Sequence, residues 1–283
     1  MRFRARMTDI GRVHSLTKTL TCISKICRIC VLKLGPSSIG FIYTDKAASG
    51  GTRLWCDLEQ EDIFDEFRIE GKDERNEIFL EIITENFVRA LKSAQNSQAL
   101  KIKLTRKQTS CLTFEVSLPS LVSHTRNVVH DIPVGIIPSR FWEDYGKPDL
   151  PPCDIAVTMP NMKTLKNVID RMKNVSGFVV IAANRSGQLT LEIETDLVNI
   201  TTIFKHMDVE TPNETSAEER PDVIRRDERF EARVDIVKLH SLLNAQQSMP
   251  SKIVCSICDE QCIHVVIYCD ETVLNFLLPA MIR

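Results

Sequence analysis

The chain has 283 residues, of which 43% are apolar and 26% charged, with a net charge of −2 at pH 7. This length suits two domains of ordinary size, and the balanced charge excludes a protein that is basic over its whole surface. No run of about 18 uncharged apolar residues is present and no secretory signal is recognised, so no membrane partner is expected and the ten cysteines are read as reduced thiols.

In chain order, the first half opens with a strand over 2–7 and an amphipathic helix over 9–25. The apolar positions of that helix are Ile10, Val13, Leu16, Leu20 and Ile23. Strand-like runs follow over 28–34, 38–44, 53–60 and 65–70, with Ala48-Ser49-Gly50-Gly51 as a turn. A second helix spans 84–96 with Thr84 as its expected N-cap, and strands close the half over about 101–107, 111–118 and 126–132. Residues 133–153 carry five prolines and read as an extended connector.

The second half repeats this order. A strand over 154–159 precedes a helix over 161–175 with apolar positions Met162, Leu165, Val168, Met172 and Val175. Strands follow over 178–184, 188–195, 197–204 and 229–234, and the acidic, Pro-containing stretch 207–228 reads as a long surface loop. A helix over 235–247, capped by Asp235, leads to strands over 252–258, 262–269 and 273–279.

The halves share one register. All five apolar positions of the first helix recur 152 residues later. Leu91-Lys92-Ser93-Ala94-Gln95 answers Leu242-Leu243-Asn244-Ala245-Gln246 at 151, as Lys101-Ile102 answers Lys252-Ile253 and Cys111-Leu112 answers Cys262-Ile263. The expected fold class is therefore α+β, with two copies of a β-α-β-β-β-β-α-β-β-β module, one short strand being left open. The N-terminal module covers 1–132, the connector 133–153 and the C-terminal module 154–283.

Charge is divided unevenly. The four helices carry a net +6 and the remainder of the chain −8. Lys18, Lys25, Arg89, Lys92, Lys163, Lys166, Lys173 and Lys238 are the candidate cations, most of them opposite the apolar stripes. A surface of this kind holds nucleic-acid phosphates without reading bases, because lysine and arginine contacts to the backbone carry no sequence information.

Catalytic signatures are sparse. The chain has no phosphate-binding Gly-rich loop and no nucleophile elbow. His130-Asp131 hints at a metal hydrolase but lacks a neighbouring cluster. Cys27-x-x-Cys30 and Cys255-x-x-Cys258, with Cys262 behind, have zinc-ligand spacing. They sit in strand-like runs, where residues three apart face opposite ways, so buried free thiols are the competing reading. No catalytic residue, metal or cofactor is expected, and a metal-dependent nucleic-acid enzyme is the alternative outside the binding-protein class.

Several segments carry a family resemblance. They are Phe3-Arg4-Ala5-Arg6, Leu54-Trp55-Cys56-Asp57-Leu58-Glu59-Gln60-Glu61, Ala99-Leu100-Lys101-Ile102-Lys103-Leu104-Thr105, His130-Asp131-Ile132-Pro133, Met172-Lys173-Asn174-Val175-Ser176 and Phe276-Leu277-Leu278-Pro279-Ala280. In this order and spacing the chain resembles the sliding clamps related to proliferating-cell nuclear antigen. Within them it resembles the hydroxyurea-sensitive subunits of the heterotrimeric DNA-damage checkpoint clamp, the nine-one-one complex. The resemblance implies a nuclear protein with some cytoplasmic pool. It implies a ring with two other clamp-like subunits around double-stranded DNA, placed by a clamp loader and used by checkpoint and repair proteins. It implies helices lining the hole and a continuous antiparallel outer sheet. It implies subunit contacts through strand edges at Val128 and His130 on one side and Val198, Ile200 and Thr202 on the other. A client-peptide pocket is implied at Ile136, Ile137, Phe141, Trp142, Leu278 and Pro279. A homotrimeric replication clamp is the nearest alternative.

Overall fold

The computed structural model describes residues 1–45, 51–119, 126–210, 228–246, 250–269 and 272–281. The chain divides into two compact units, Met1–Thr44 with Trp55–Lys147, and Asp45–Leu54 with Pro148–Arg283.

In the first unit, β1 (Arg2–Met7) buries alternate residues and ends at Asp9, whose carboxylate accepts the Gly11 N–H at 2.7 Å and starts α1 (Ile10–Ile26). Then come β2 (Ile29–Leu34), β3 (Ser38–Thr44), β4 (Arg53–Glu59), a single turn α2 (Gln60–Ile63), β5 (Glu66–Glu70) and β6 (Ile78–Ile83). The second long helix, α3 (Thr84–Ser93), is followed by β7 (Ala99–Arg106), β8 (Ser110–Leu118) and β9 (Arg126–Pro133). One antiparallel sheet has the order β5-β1-β7-β8-β9, and a second sheet runs β6-β2-β3-β4. The short β10 (Gly135–Ile136) adds to the outside of β6, and a 3-10 turn follows at Ser139–Tyr145.

The second unit contains β11 (Ile155–Thr158), α4 (Met162–Lys173), β12 (Phe178–Asn184), β13 (Leu189–Glu194), β14 (Asn199–Phe204) and β15 (Val209–Glu210). It continues with β16 (Arg229–Asp235), α5 (Ile236–Ala245), β17 (Lys252–Cys258), β18 (Cys262–Cys269) and β19 (Thr272–Pro279). Its sheets have the orders β15-β11-β17-β18-β19 and β16-β12-β13-β14. Element for element, these are the two orders of the first unit. The duplication inferred from the offsets is thus a duplication of topology.

Several expectations need correction. Five strands, not four, lie between the helices of each unit: β6 was not anticipated in the first and β15 in the second. The two residues of β15 fall within the stretch 207–228, read as loop; residues 211–227 lie outside the described residues, as does most of the turn at Ala48-Ser49-Gly50-Gly51. Thr84 is the first residue of α3 rather than its cap, and its hydroxyl donates to the carbonyls of Cys27 and Arg28 at 2.9 and 3.1 Å. Asp235 does cap α5, accepting from Val237 and Lys238 N–H. The connector is partly ordered by Trp142, whose indole N–H donates to the Ile137 carbonyl at 2.9 Å while its ring stacks on Phe79 at 4.7 Å.

The apolar stripes shift at their ends. Ile10 is 49% exposed and Val175 42%. In α4 the buried row is Met162, Leu165, Ile169 and Met172, with Val168 only half-buried. In α1 the threonines Thr17 and Thr21 are buried too, because each hydroxyl bonds back to a carbonyl one turn earlier, at 2.6 Å. Ile169→Ala is expected to lower unfolding free energy by about 2–5 kcal/mol, and Val175→Ala by less than about 1 kcal/mol. Urea denaturation of both variants checks this; equal losses would contradict the revised face.

Candidate nucleic-acid interface

The eight candidate cations arise from helices that must bury one side. In the first unit α1 and α3 pack together, and the His14 ring nitrogen Nε2 lies 3.2 Å from the Gln95 carbonyl between them. Burial of Val13, Leu16, Leu20 and Ile23 on α1, and of Phe87, Val88 and Leu91 on α3, leaves Lys18, Lys25, Arg89 and Lys92 exposed. In the second unit α4 and α5 pair in the same way. Lys163 is exposed there, while Lys166, Lys173 and Lys238 are half-buried.

The structure separates these cations by what they touch. Arg89 pairs with Glu85 one turn earlier at 2.6 Å. Lys238 Nζ lies 2.8 Å from Asp45. Lys173 lies 3.5 Å from Asp170 and 2.9 Å from the Nε2 nitrogen of His240, which itself meets Asp170 at 2.5 Å and Asn244 at 2.6 Å. The hydrogen bond from His240, with the charge of Lys173 beside it, holds the Asp170 carboxyl below its usual range. Asp170 therefore stays an anion on the otherwise basic face of α4. Lys25, Lys92, Lys163 and Lys166 have no ion-pair partner within 4.0 Å among the described residues.

The strand edges are explicit. Among the described residues β9 pairs only with β8, and β14 only with β13. On β9 the side chains of Val128 and His130 turn toward the half-buried face, and Ser93 Oγ lies 2.8 Å from His130 Nε2. Val129, 54% exposed, points the other way. On β14, Ile200 and Thr202 are half-buried, whereas Val198 and Ile203 are exposed and Leu197 is 93% exposed at the turn before the strand. Alternation along each strand turns Val129 and Ile203 outward, and Leu197 stands out at the turn; the sequence reading did not single out these three.

The residues expected at a client pocket fall into two kinds. Ile136 and Phe141 are exposed, with the Arg140 guanidinium over the Phe141 ring at 4.7 Å. Ile137 N–H donates to the Phe79 carbonyl, and Trp142 is buried, so these two anchor the connector to its own unit. In the second unit Leu278 is buried and Pro279 faces Cys262 across β18 and β19.

The metal reading finds no ligand set: among the described residues no three His, Cys, Asp or Glu side chains come together as a candidate metal site. Asp131 is instead engaged by Lys107 at 2.5 Å and by the Thr113 hydroxyl at 2.6 Å, and these bonds hold its carboxyl low. Cys255 turns to the opposite face from Cys258, and burial pushes its thiol up to about 12. Among the described residues no helix is long and apolar enough to cross a membrane.

Comparison with known proteins meets this geometry. The fold matches proliferating cell nuclear antigens: that of Thermococcus kodakaraensis at TM-score 0.66 and 13% identity, over 99% of this chain and 100% of the other. That of Entamoeba histolytica matches at TM-score 0.70 and 12% identity, over 99% of each chain. The checkpoint protein HUS1 of Homo sapiens is 41% identical over 99% of this chain and 100% of its own length. The checkpoint protein hus1 of Schizosaccharomyces pombe is 25% identical over 95% of this chain and 93% of its own. The profile of the Hus1-like protein family matches residues 1–282. With the clamp topology present twice and the sequence match running end to end, the chain belongs to the Hus1-like family.

Proposed function

We propose that this checkpoint clamp subunit is a non-catalytic member of a heterotrimeric ring, built with two other clamp-like chains and loaded around DNA at sites of damage. The observation that carries the reading is the pairing of an end-to-end match to checkpoint proteins with a clamp module present in two copies. Lys25, Lys92, Lys163 and Lys166, which hold no ion pair among the described residues, meet DNA phosphates. A ring is held on DNA by topology, so a few mobile ammonium groups suffice, and their lack of sequence preference permits sliding. The one-sided edges of β9 and β14 are completed by strands of neighbouring subunits. This removes open edges that would otherwise invite aggregation. The exposed Ile136 and Phe141 contribute to docking of repair and checkpoint proteins. The protein acts in the nucleus on chromatin, with some cytoplasmic pool, and a clamp loader opens the ring to admit DNA.

Two outcomes test this. Lys25→Glu, Lys163→Glu and Lys166→Glu combined are expected to shorten retention of the assembled ring on closed circular DNA. The salt slope of binding should fall by roughly 0.9 for each phosphate that the variant no longer neutralises. The urea midpoint should not move, since none of the three holds an ion pair among the described residues. Unchanged retention would overturn the DNA-facing assignment. Native mass measurement is expected to find one copy of this chain with one copy each of two different clamp-like chains. A stable trimer of this chain alone would favour a homotrimeric replication clamp instead.

A further inference from the structure

The three-residue turn between β17 and β18 is a junction for the second unit. The Asp259 N–H donates to the Asp154 carboxylate at 2.8 Å, where the connector enters β11. The Asp259 carboxylate accepts from the Glu231 N–H at 2.7 Å, and the Glu260 N–H donates to the Glu231 carbonyl at 2.8 Å. On the far side the Gln261 carbonyl accepts the Ala280 N–H just after β19. Glu260 sits at φ 55°, a left-handed conformation that is uncommon for a glutamate. Connector, β16 and the end of the last strand are all fastened to these three residues.

Two cysteines close that turn. Cys258 and Cys262 are directly opposed in the β17–β18 register, so their side chains leave the sheet on the same face, side by side. Opposed residues of an antiparallel pair have Cα atoms roughly 4.5–5.5 Å apart, inside the roughly 4.4–6.8 Å range of disulfides. Both are buried, and all ten cysteines of the structure are thiols. The Cys258 S–H has two acceptors to choose from: the Pro151 carbonyl of the connector at 3.7 Å, and the Cys262 sulfur. The adjacent connector residue Cys153 gives its own hydrogen to the Ile155 carbonyl at 3.1 Å.

We propose that Cys258 and Cys262 form an oxidisable dithiol, which a hydroperoxide converts to a cross-strand disulfide, and that this releases the connector end held by Pro151 and Asp154. The Cys262 sulfur attacks one peroxide oxygen. The O–O bond breaks, the departing oxygen leaves as water or alcohol with a proton, and Cys262 becomes a sulfenic acid. The Cys258 sulfur then displaces the hydroxyl, which leaves as water with the Cys258 proton. Two thiols lose two electrons and the hydroperoxide gains them. With its sulfur in the S–S bond, Cys258 has no hydrogen left for Pro151. The hydrogen bond from Cys258 already draws the Cys262 thiol below its ordinary range, which favours it as the attacking group. The other close pair lies at the end of α1, where Cys27 gives its hydrogen to the Ile23 carbonyl; Cys30, like Cys258, is pushed well up by its bond to the partner thiol and by burial.

The test uses the full chain, exposed to graded hydrogen peroxide, alkylated while folded, and cut after glutamate. Cleavage after Glu260 separates the two cysteines, so only a disulfide keeps their peptides together. The linked peptides are expected at roughly tenfold less peroxide than modifies Cys255, to vanish on reduction, and to be absent in Cys258→Ser and Cys262→Ser. Amide exchange at Asp154 and Asp259 is expected to quicken in the oxidised form. A Cys153–Cys258 link forming first, or sulfinic acid without any link, would overturn the pair. A Cys258–Cys262 link with unchanged exchange at Asp154 would overturn its coupling to the connector.

Discussion

A helix that lies on a sheet through a row of leucine, isoleucine and valine has no freedom over where its lysines point. Burying Leu16, Leu20 and Ile23 on α1, or Leu165, Ile169 and Met172 on α4, is worth about 1.5–3 kcal/mol for each side chain. An exposed ion pair is worth about 0–1 kcal/mol. Packing therefore fixes the rotation of each helix, and the charge pattern follows from it. The cationic face is a consequence of the apolar one, and the module needed only lysine and arginine at positions that burial left outside.

That dependence explains what could be read in advance. The register between the halves rests on buried positions, and buried positions are set by periodicity over a few turns, which a single sequence displays. The misreadings lie where periodicity is short or absent. Ile78–Ile83 is a nearly continuous apolar run, buried from Ile78 to Leu80, and it enters α3 with no turn residue to announce it. It carries neither the alternation of a half-buried strand nor a boundary. The two residues of β15 are too few to show any period. Ile10 and Val175 continue the helical spacing but stand at the ends of the stripes, where both are exposed. Thr84 has the composition of a cap, yet its hydroxyl serves carbonyls of a distant segment, a partner that local sequence does not name.

The candidate interface was legible in membership and illegible in rank. Eight cations could be placed on four helices by counting, but their partners could not. Asp45 reaches Lys238 across 193 positions and Asp170 reaches His240 across 70. Those contacts divide an apparently uniform basic face into paired and unpaired ammonium groups. The division has a physical use in the clamp reading. A paired lysine loses part of its attraction for a phosphate to its carboxylate, whereas Lys25 and Lys163 have no such partner among the described residues. Asp170 adds the opposite sign within the same face. It weakens the summed field, which in the clamp reading would hold affinity low enough for sliding.

The cysteines show the same limit from another side. Spacing alone joined Cys255 to Cys258, and strand alternation separates them: a thiol three residues along a strand leaves by the other face. The partner of Cys258 is instead Cys262, brought opposite by a turn whose length decides the register. Cys153 comes beside this pair only because the connector folds back to pair Asp154 with Ile257. Sequence distance thus misranks the thiols, and hairpin geometry ranks them. The same turn that sets two sulfurs side by side also fastens the connector and the end of the last strand. A change in the chemistry of those sulfurs is therefore placed where the connector, β16 and the end of β19 are fastened together.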